Sequence, residues 1–219
     1  MIAERRTFPD REALAASLAE DVAARLAAAI MSKDSAVLAV SGGTTPKRFL
    51  AALSLTQVAW HKVTVTLVDE RWVPETSERS NARLVRETLL VHDAAAAKFV
   101  PLFENEAEAR SLPPFDAVIL GMGNDGHTAS FFPGGDTLAA ALEPDTSGRI
   151  LTMAAPGAGE KRLTVSLAAI LESPFIALHI EGEEKMRAFD RAMQDGPVEE
   201  MPVRAILRGP RMVTIYWSP

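Results

Sequence analysis

The segment Phe115–Ser130, FDAVILGMGNDGHTAS, runs an unbroken apolar stretch, Ala117 to Leu120, straight into a glycine loop that ends on a histidine. A stretch apolar at every position fits a strand buried on both faces, and open α/β sheets made of such strands bind ligands beyond their carboxyl ends. Gly121, Gly123 and Gly126 let the backbone turn sharply or approach a ligand closely, and Asp125 and His127 are the only ionisable groups in the loop. A carboxylate two residues from an imidazole can orient it or raise its basicity. His127 is therefore a candidate general base near neutral pH, with Asp125 as its partner.

The same loop spells G-x-G-x-x-G, but the dinucleotide fingerprint needs a long helix straight after its third glycine. Here Pro133, Gly134 and Gly135 interrupt the chain soon after Gly126, so any helix starting at Thr128 must be short. A catalytic loop is the better reading.

The rest of the chain alternates strands with helices. Asp10 is a candidate N-cap for a helix whose apolar residues Leu14, Leu18, Val22, Leu26 and Ile30 recur at every fourth position. Ala36–Val40 reads as a strand, Pro46–Leu53 as a helix with proline in its first turn, Val63–Val68 as a strand and Ser80–Leu90 as a helix capped by Ser80. Phe115–Leu120 is the next strand. Beyond a Gly/Pro-rich region, Pro133–Gly159, come a strand end and helix over Leu163–Leu171 and a strand over Phe175–Ile180. Glu183–Met193 reads as a helix and Met212–Trp217 as a final strand. This order predicts a single α/β domain over residues 1–219, with a mostly parallel sheet and helices on both faces.

Composition removes several functions. With 219 residues the chain is long enough to bury a large core, and it has no cysteine, which excludes disulfides and thiolate chemistry. Arg5 and Arg6 lead into Thr7, Phe8, Pro9 and Asp10, unlike a signal peptide, and no apolar run has the length of a membrane span. The expected location is the cytoplasm, away from membranes. A net charge of −6 argues against nucleic acid as a partner, because counterion release needs a basic face. An anionic ligand must be held by a few local cations.

Two further segments leave strands at the same end of the predicted sheet. Ser41, Gly42, Gly43, Thr44 and Thr45 offer unobstructed backbone N–H groups and hydroxyls just before Pro46 starts a helix, a ready anion site. They lack the spacing of a nucleoside-triphosphate P-loop. In LVDERWVPETSERSNARL, Asp69, Glu70 and Arg71 follow a strand, and Arg79, Ser80 and Asn81 open the next helix. Each charge alone suits a solvated loop; together they point to one edge of the sheet.

With SGGTTP, DERWVP followed by RSN, GMGNDGHTASFFPG, Pro156 with Lys161-Arg162-Leu163-Thr164, and Gly182-Glu183-Glu184-Lys185 in this order, the chain resembles the 6-phosphogluconolactonase family over nearly its whole length. The resemblance implies a three-layer, Rossmann-like sheet shared with glucosamine-6-phosphate deaminase. It also implies hydrolysis of 6-phospho-D-glucono-1,5-lactone to 6-phospho-D-gluconate in the oxidative pentose phosphate pathway, by a histidine-activated water and without a metal or cofactor. The implied catalytic residues are His127, Asp125 and Arg71, with Arg71 either stabilising the carbonyl oxygen or anchoring sugar hydroxyls. Ser41, Gly42, Gly43 and Thr44 are the implied phosphate cradle, with Arg162 and Lys185 supplying charge and Arg79, Asn81 and Gly123 completing the substrate site. The implied partner is a small phosphorylated sugar lactone, bound by a monomer or weak homodimer.

His61, His92 and His179 are read as structural, and none has a metal-ligand spacing. Two rival functions are a glucosamine-6-phosphate deaminase and a non-catalytic sugar-phosphate sensor. The deaminases carry a reacting carboxylate after the loop histidine where this chain has Thr128-Ala129-Ser130-Phe131-Phe132-Pro133. A sensor has no need of His127 together with Asp125.

Overall fold

In a computed structural model that describes residues 4–144 and 149–219, ten strands build two sheets. Within the Gly/Pro-rich region Pro133–Gly159, residues 145–148 lie outside the described residues. The strands are β1 (Glu4–Thr7), β2 (Ala36–Val40), β3 (Val63–Leu67), β4 (Asp69–Arg71), β5 (Lys98–Val100), β6 (Ala117–Leu120), β7 (Ile150–Met153), β8 (Arg162–Val165), β9 (Ile176–Glu181) and β10 (Val213–Ser218). The larger sheet has seven strands in the order β1-β10-β9-β6-β2-β3-β5, all parallel. Its central strands β2 and β6 are buried at every residue, which explains why their sequences are apolar without alternation. The edge strand β1 is polar and largely exposed, a composition that discourages pairing with another chain.

The helices are α1 (Arg11–Lys33), α2 (Lys47–Ser54), α3 (Asn81–Thr88), α4 (Glu106–Arg110), α5 (Leu138–Leu142), α6 (Leu167–Leu171), α7 (Glu183–Met193) and α8 (Val203–Leu207). Right-handed crossovers put α1, α2 and α3 on one face of the parallel sheet and α6, α7 and α8 on the other. The contacts agree, with α1 against α2, α2 against α3, and both α6 and α7 against α8. The Asp10 carboxylate caps α1 by accepting from the Ala13 N–H at 2.8 Å, and Leu14, Leu18, Val22 and Leu26 form its buried stripe. Ser80 caps α3 by accepting from Arg83 N–H at 3.2 Å. None of the helices is long and apolar enough to cross a membrane.

The strand order reverses at β2. From there the chain moves through β3 to β5 and returns to β6 on the other side, so the loops leaving β2 and β6 diverge and open a crevice between them. Both glycine loops read from the sequence lie at that crevice. No helix starts at Thr128; Thr128 and Phe131 form an isolated antiparallel bridge instead.

The second sheet is not apparent from the strand pattern. β4, β8 and β7 pair antiparallel in that order, with Arg71 opposite Arg162 and Asp69 opposite Thr164. The triplet Asp69, Glu70 and Arg71 is thus a strand rather than a solvated loop, and both acids are buried. Glu70 Oε1 accepts from the backbone N–H groups of Arg71 at 2.7 Å and Asn81 at 2.8 Å, while Oε2 accepts from Ala82 N–H at 2.7 Å and the Ser80 hydroxyl at 3.1 Å. Burial raises the Glu70 pKa above the usual glutamate range, although the backbone bonds pull it the other way. Its carboxylate holds β4 to the first turn of α3, where negative charge suits the helix N-terminus. Glu70→Gln turns an NH₂ group toward donors, and we expect a loss of about 1 to 3 kcal/mol in chemical denaturation. An unchanged denaturation midpoint would show that these four bonds are dispensable.

Candidate active site

A cleft of about 290 Å³ occupies the crevice at the carboxyl ends of β2 and β6, and it is lined by residues of both glycine loops and of the small sheet. From the β6 loop comes His127. Its Nδ1 lies 2.6 Å from Asp125 Oδ1, which also accepts the His127 backbone N–H at 3.1 Å. Partial burial works against the Asp125 charge, but the hydrogen bonds from His127 outweigh it and hold the carboxyl below its ordinary range. An ionised carboxylate only accepts, so Nδ1 carries the proton and Nε2 presents a lone pair.

The loop is closed by Gly123 N–H donating to His127 C=O at 2.9 Å, and the imidazole lies on Phe132 with ring centroids 4.4 Å apart. A Cβ on Gly123 would stand 2.2 Å from His127 Nδ1 and 2.6 Å from Asp125 Oδ1, so only glycine admits the pair at this position. Phe132 also carries the Arg162 guanidinium, 5.5 Å from its ring centre.

The β2 loop brings Ser41, Gly42, Gly43, Thr44 and Thr45 to the same cleft. Gly42 is packed against Asn81 so closely that a Cβ would fall 1.9 Å from Asn81 Oδ1. Asn81 Nδ2 donates to the Asp69 carbonyl at 2.9 Å, which turns its amide toward the loop. Lys185, in the first turn of α7, donates from Nζ to Thr45 Oγ1 at 3.1 Å. Burial lowers the Lys185 pKa and the nearby Glu181 carboxylate opposes that shift.

Arg71 and Arg162 reach the cleft side by side from paired positions of the small sheet. Arg71 Nη1 donates to the Arg79 carbonyl at 2.6 Å, and Arg162 Nη2 to the Ala158 carbonyl at 2.8 Å. Asp69, which accepts from Ser130 Oγ at 2.7 Å, stands 3.9 Å from Arg162 Nη1. Burial lowers the Arg162 pKa, and Asp69 acts in the opposite direction. Four buried polar atoms of cleft-lining residues, Arg71 Nε, Asn81 Oδ1, Arg162 Nε and His179 Nδ1, have no hydrogen-bond partner among the described residues. Unpaired buried polar atoms are rare, and their gathering in one cleft marks it for a strongly polar ligand.

Of the residues picked from the sequence, His127, Arg71, Ser41, Gly42, Gly43, Thr44, Asn81, Gly123, Arg162 and Lys185 all line this one cleft, and Asp125 is bonded to His127. Arg79 stands apart. It lines an adjoining depression that shares Gly43, Thr44 and Arg71 with the cleft, and its guanidinium pairs with Glu160.

A model of the glucosamine-6-phosphate isomerases/6-phosphogluconolactonase family matches residues 9–217. The chain belongs to this family. The 6-phosphogluconolactonase of Mesorhizobium japonicum is 54% identical over 97% of this chain and 94% of its own length. That of Rhizobium meliloti is 49% identical over the whole of both chains. The crystal structure of a 6-phosphogluconolactonase from Shewanella baltica superimposes with a TM-score of 0.95 at 38% identity, over 99% of this chain and 98% of that one.

Family membership accounts for the order of the motifs; it does not by itself reveal Asp69, Phe132 or His179 at the cleft, none of which the sequence reading assigned to the site, Asp69 being named only within its charged triplet and His179 read as structural. A signal for His179 was present. It falls near the carboxyl end of an apolar strand and two residues before Glu181, so strand alternation puts imidazole and carboxylate on one face. Phe132 carries no comparable signal, because a loop phenylalanine is usually core.

Proposed function

We infer that this chain is a 6-phosphogluconolactonase, a carboxylic ester hydrolase that opens 6-phospho-D-glucono-1,5-lactone to 6-phospho-D-gluconate. The names of the relatives at 49 to 54% identity support the reaction. The observation that carries the mechanism is the 2.6 Å bond between Asp125 and His127 Nδ1, which leaves Nε2 as the proton acceptor in a cleft that also holds Arg71, Arg162 and Lys185.

Opening a δ-lactone needs a nucleophilic water, a stabiliser for the carbonyl oxygen as it gains charge, and a proton for the departing ring oxygen. His127 Nε2 takes the proton from water as its oxygen attacks the lactone carbon, and Asp125 stabilises the resulting imidazolium. When the tetrahedral intermediate collapses, the carbon–oxygen bond of the ring breaks and His127 returns its proton to the leaving oxygen. Arg71, with a buried and unpaired Nε, supplies the donor for the carbonyl oxygen or for a sugar hydroxyl. The phosphate sits on Ser41 to Thr44 with Arg162 and Lys185, an arginine fork and a lysine point charge suited to a dianion. Asn81 and Gly123 complete the substrate site. The family match from residue 9 to 217 and the continuous core support one α/β domain, and the family's name supports a small phosphosugar as its substrate.

The direct test is a coupled assay on freshly generated 6-phosphoglucono-δ-lactone, corrected for spontaneous hydrolysis. Clear acceleration is expected, and no acceleration sinks the reading. The family name also covers an isomerase activity, so glucosamine 6-phosphate is the second substrate to try. In the stretch where the deaminases have their carboxylate, this chain has Thr128, bonded to Gly121 C=O, and Ser130, bonded to Asp69. Ammonia release is expected to stay at background even at high enzyme concentration, and steady release would reverse the assignment.

A further inference from the structure

The imidazole of His179 lines the cleft and takes no part in the chemistry above. It is only 1% exposed, near the carboxyl end of β9. Nε2 lies 3.2 Å from Glu181 Oε1, and Nδ1 is buried with no partner among the described residues. Phe49 stands edge-on to the ring, with centroids 6.3 Å apart.

We propose that His179 is a contact of the substrate phosphate, and that the phosphate enters the cleft together with one proton held between His179 Nδ1 and a phosphate oxygen. The inference rests on the lactonase reading of the cleft.

The tautomer follows from Glu181. Burial opposes its ionisation, but the hydrogen bond from His179 and the charges of Arg11 and Arg48 hold its pKa below the ordinary range, so the carboxylate accepts and Nε2 is the protonated nitrogen. A neutral ring fixed this way offers a bare lone pair at Nδ1. A phosphate dianion offers only acceptors. Lone pair against oxyanion is repulsive, and a proton between them turns the clash into a charge-assisted hydrogen bond.

The other charges around the ring set the balance. Lys185 on α7 lines the same cleft. Arg11 of α1, 3.5 Å from Glu181, draws on the same carboxylate as the ring, as does Arg48 of α2. Tyr216, opposite His179 on β10, is tied up with Asp21 and Arg6 of the first strand and helix. The phosphate is the added negative charge that makes protonation favourable. A phosphate monoester has its second pKa near 6, so above that pH the proton must come from solvent.

The test is calorimetric titration of the protein with 6-phosphogluconate at pH 8, in two buffers of different ionisation enthalpy. Wild type is expected to take up close to one proton per molecule bound. His179→Gln keeps a donor for Glu181 but has nothing at the Nδ1 position. Its expected uptake is near zero, with Kd raised about 10- to 100-fold. Circular dichroism and the thermal midpoint establish that the variant is folded. Zero uptake by wild type overturns the proposal without any variant. Undiminished uptake by His179→Gln assigns the proton to Lys185 and also overturns it. Failure of wild type to bind 6-phosphogluconate at all is a separate result, which removes the lactonase reading itself.

Discussion

Replacing His127 with alanine is expected to lower kcat by about 10²- to 10⁴-fold while the protein stays folded, because a methyl group cannot accept the water's proton. The fold should survive for a local reason. The His127 side chain is about one-third exposed and bonded only to Asp125, whereas the loop is closed by backbone bonds between Gly123, Gly126 and His127. KM should change little, since the base contributes in the transition state rather than to binding. Asp125→Asn is expected to cost less, because an amide oxygen can still accept from Nδ1 but carries no charge to stabilise the imidazolium. Steady-state kinetics on the phosphorylated lactone decide the matter. A His127→Ala enzyme with most of its rate would move the base elsewhere.

The second large effect belongs to the cations. Lys185→Ala and Arg162→Ala are each expected to lower kcat/KM for the phosphorylated lactone by about 10- to 150-fold, the equivalent of roughly 1.5 to 3 kcal/mol for a charge-assisted bond. Glucono-δ-lactone, which has no phosphate, separates binding from folding. A damaged fold depresses both substrates, whereas a lost phosphate contact acts only on the one that carries a phosphate. Inorganic phosphate should inhibit wild type competitively and each variant less. Equal losses on both lactones would make these cations structural and move the anion site to the helix start at Ser41 to Pro46.

The parallel sheet was legible because its strands are buried on both faces, so Ala36–Val40 and Ala117–Leu120 announce themselves without reference to anything distant in the chain. The helix caps were legible for the same local reason, Asp10 and Ser80 each bonding to a residue three positions on. The small sheet was not. β4 is three charged residues long, and what makes it a strand is its pairing with β8 and the four donors converging on Glu70, neither visible in a local pattern. The site divides in the same way. Both glycine loops are local signatures, while His179 was set aside because burial in an apolar strand usually means core packing. Arg79 lines the adjoining depression rather than the cleft, and its place two residues before Asn81 in sequence says nothing of its reach toward Glu160.

The pairing of Arg71 with Arg162 also bears on how the protein is made. β2, β3, β5 and β6 can dock as successive strand and helix units while the ribosome is still working, because they are neighbours in the sheet, whereas β1 waits for β10 at the far end of the chain. β4 must wait for β8, from the other half of the sequence, and until then its acids and arginine have no partner strand. The cationic wall of the cleft is therefore acquired late, after the two glycine loops are in place. On the proposed mechanism, a nascent chain that has already folded its first strands has a cradle for an anion and a base beside it, yet no arginine pair to steady the developing charge, so catalytic competence would arrive only with the second half of the polypeptide.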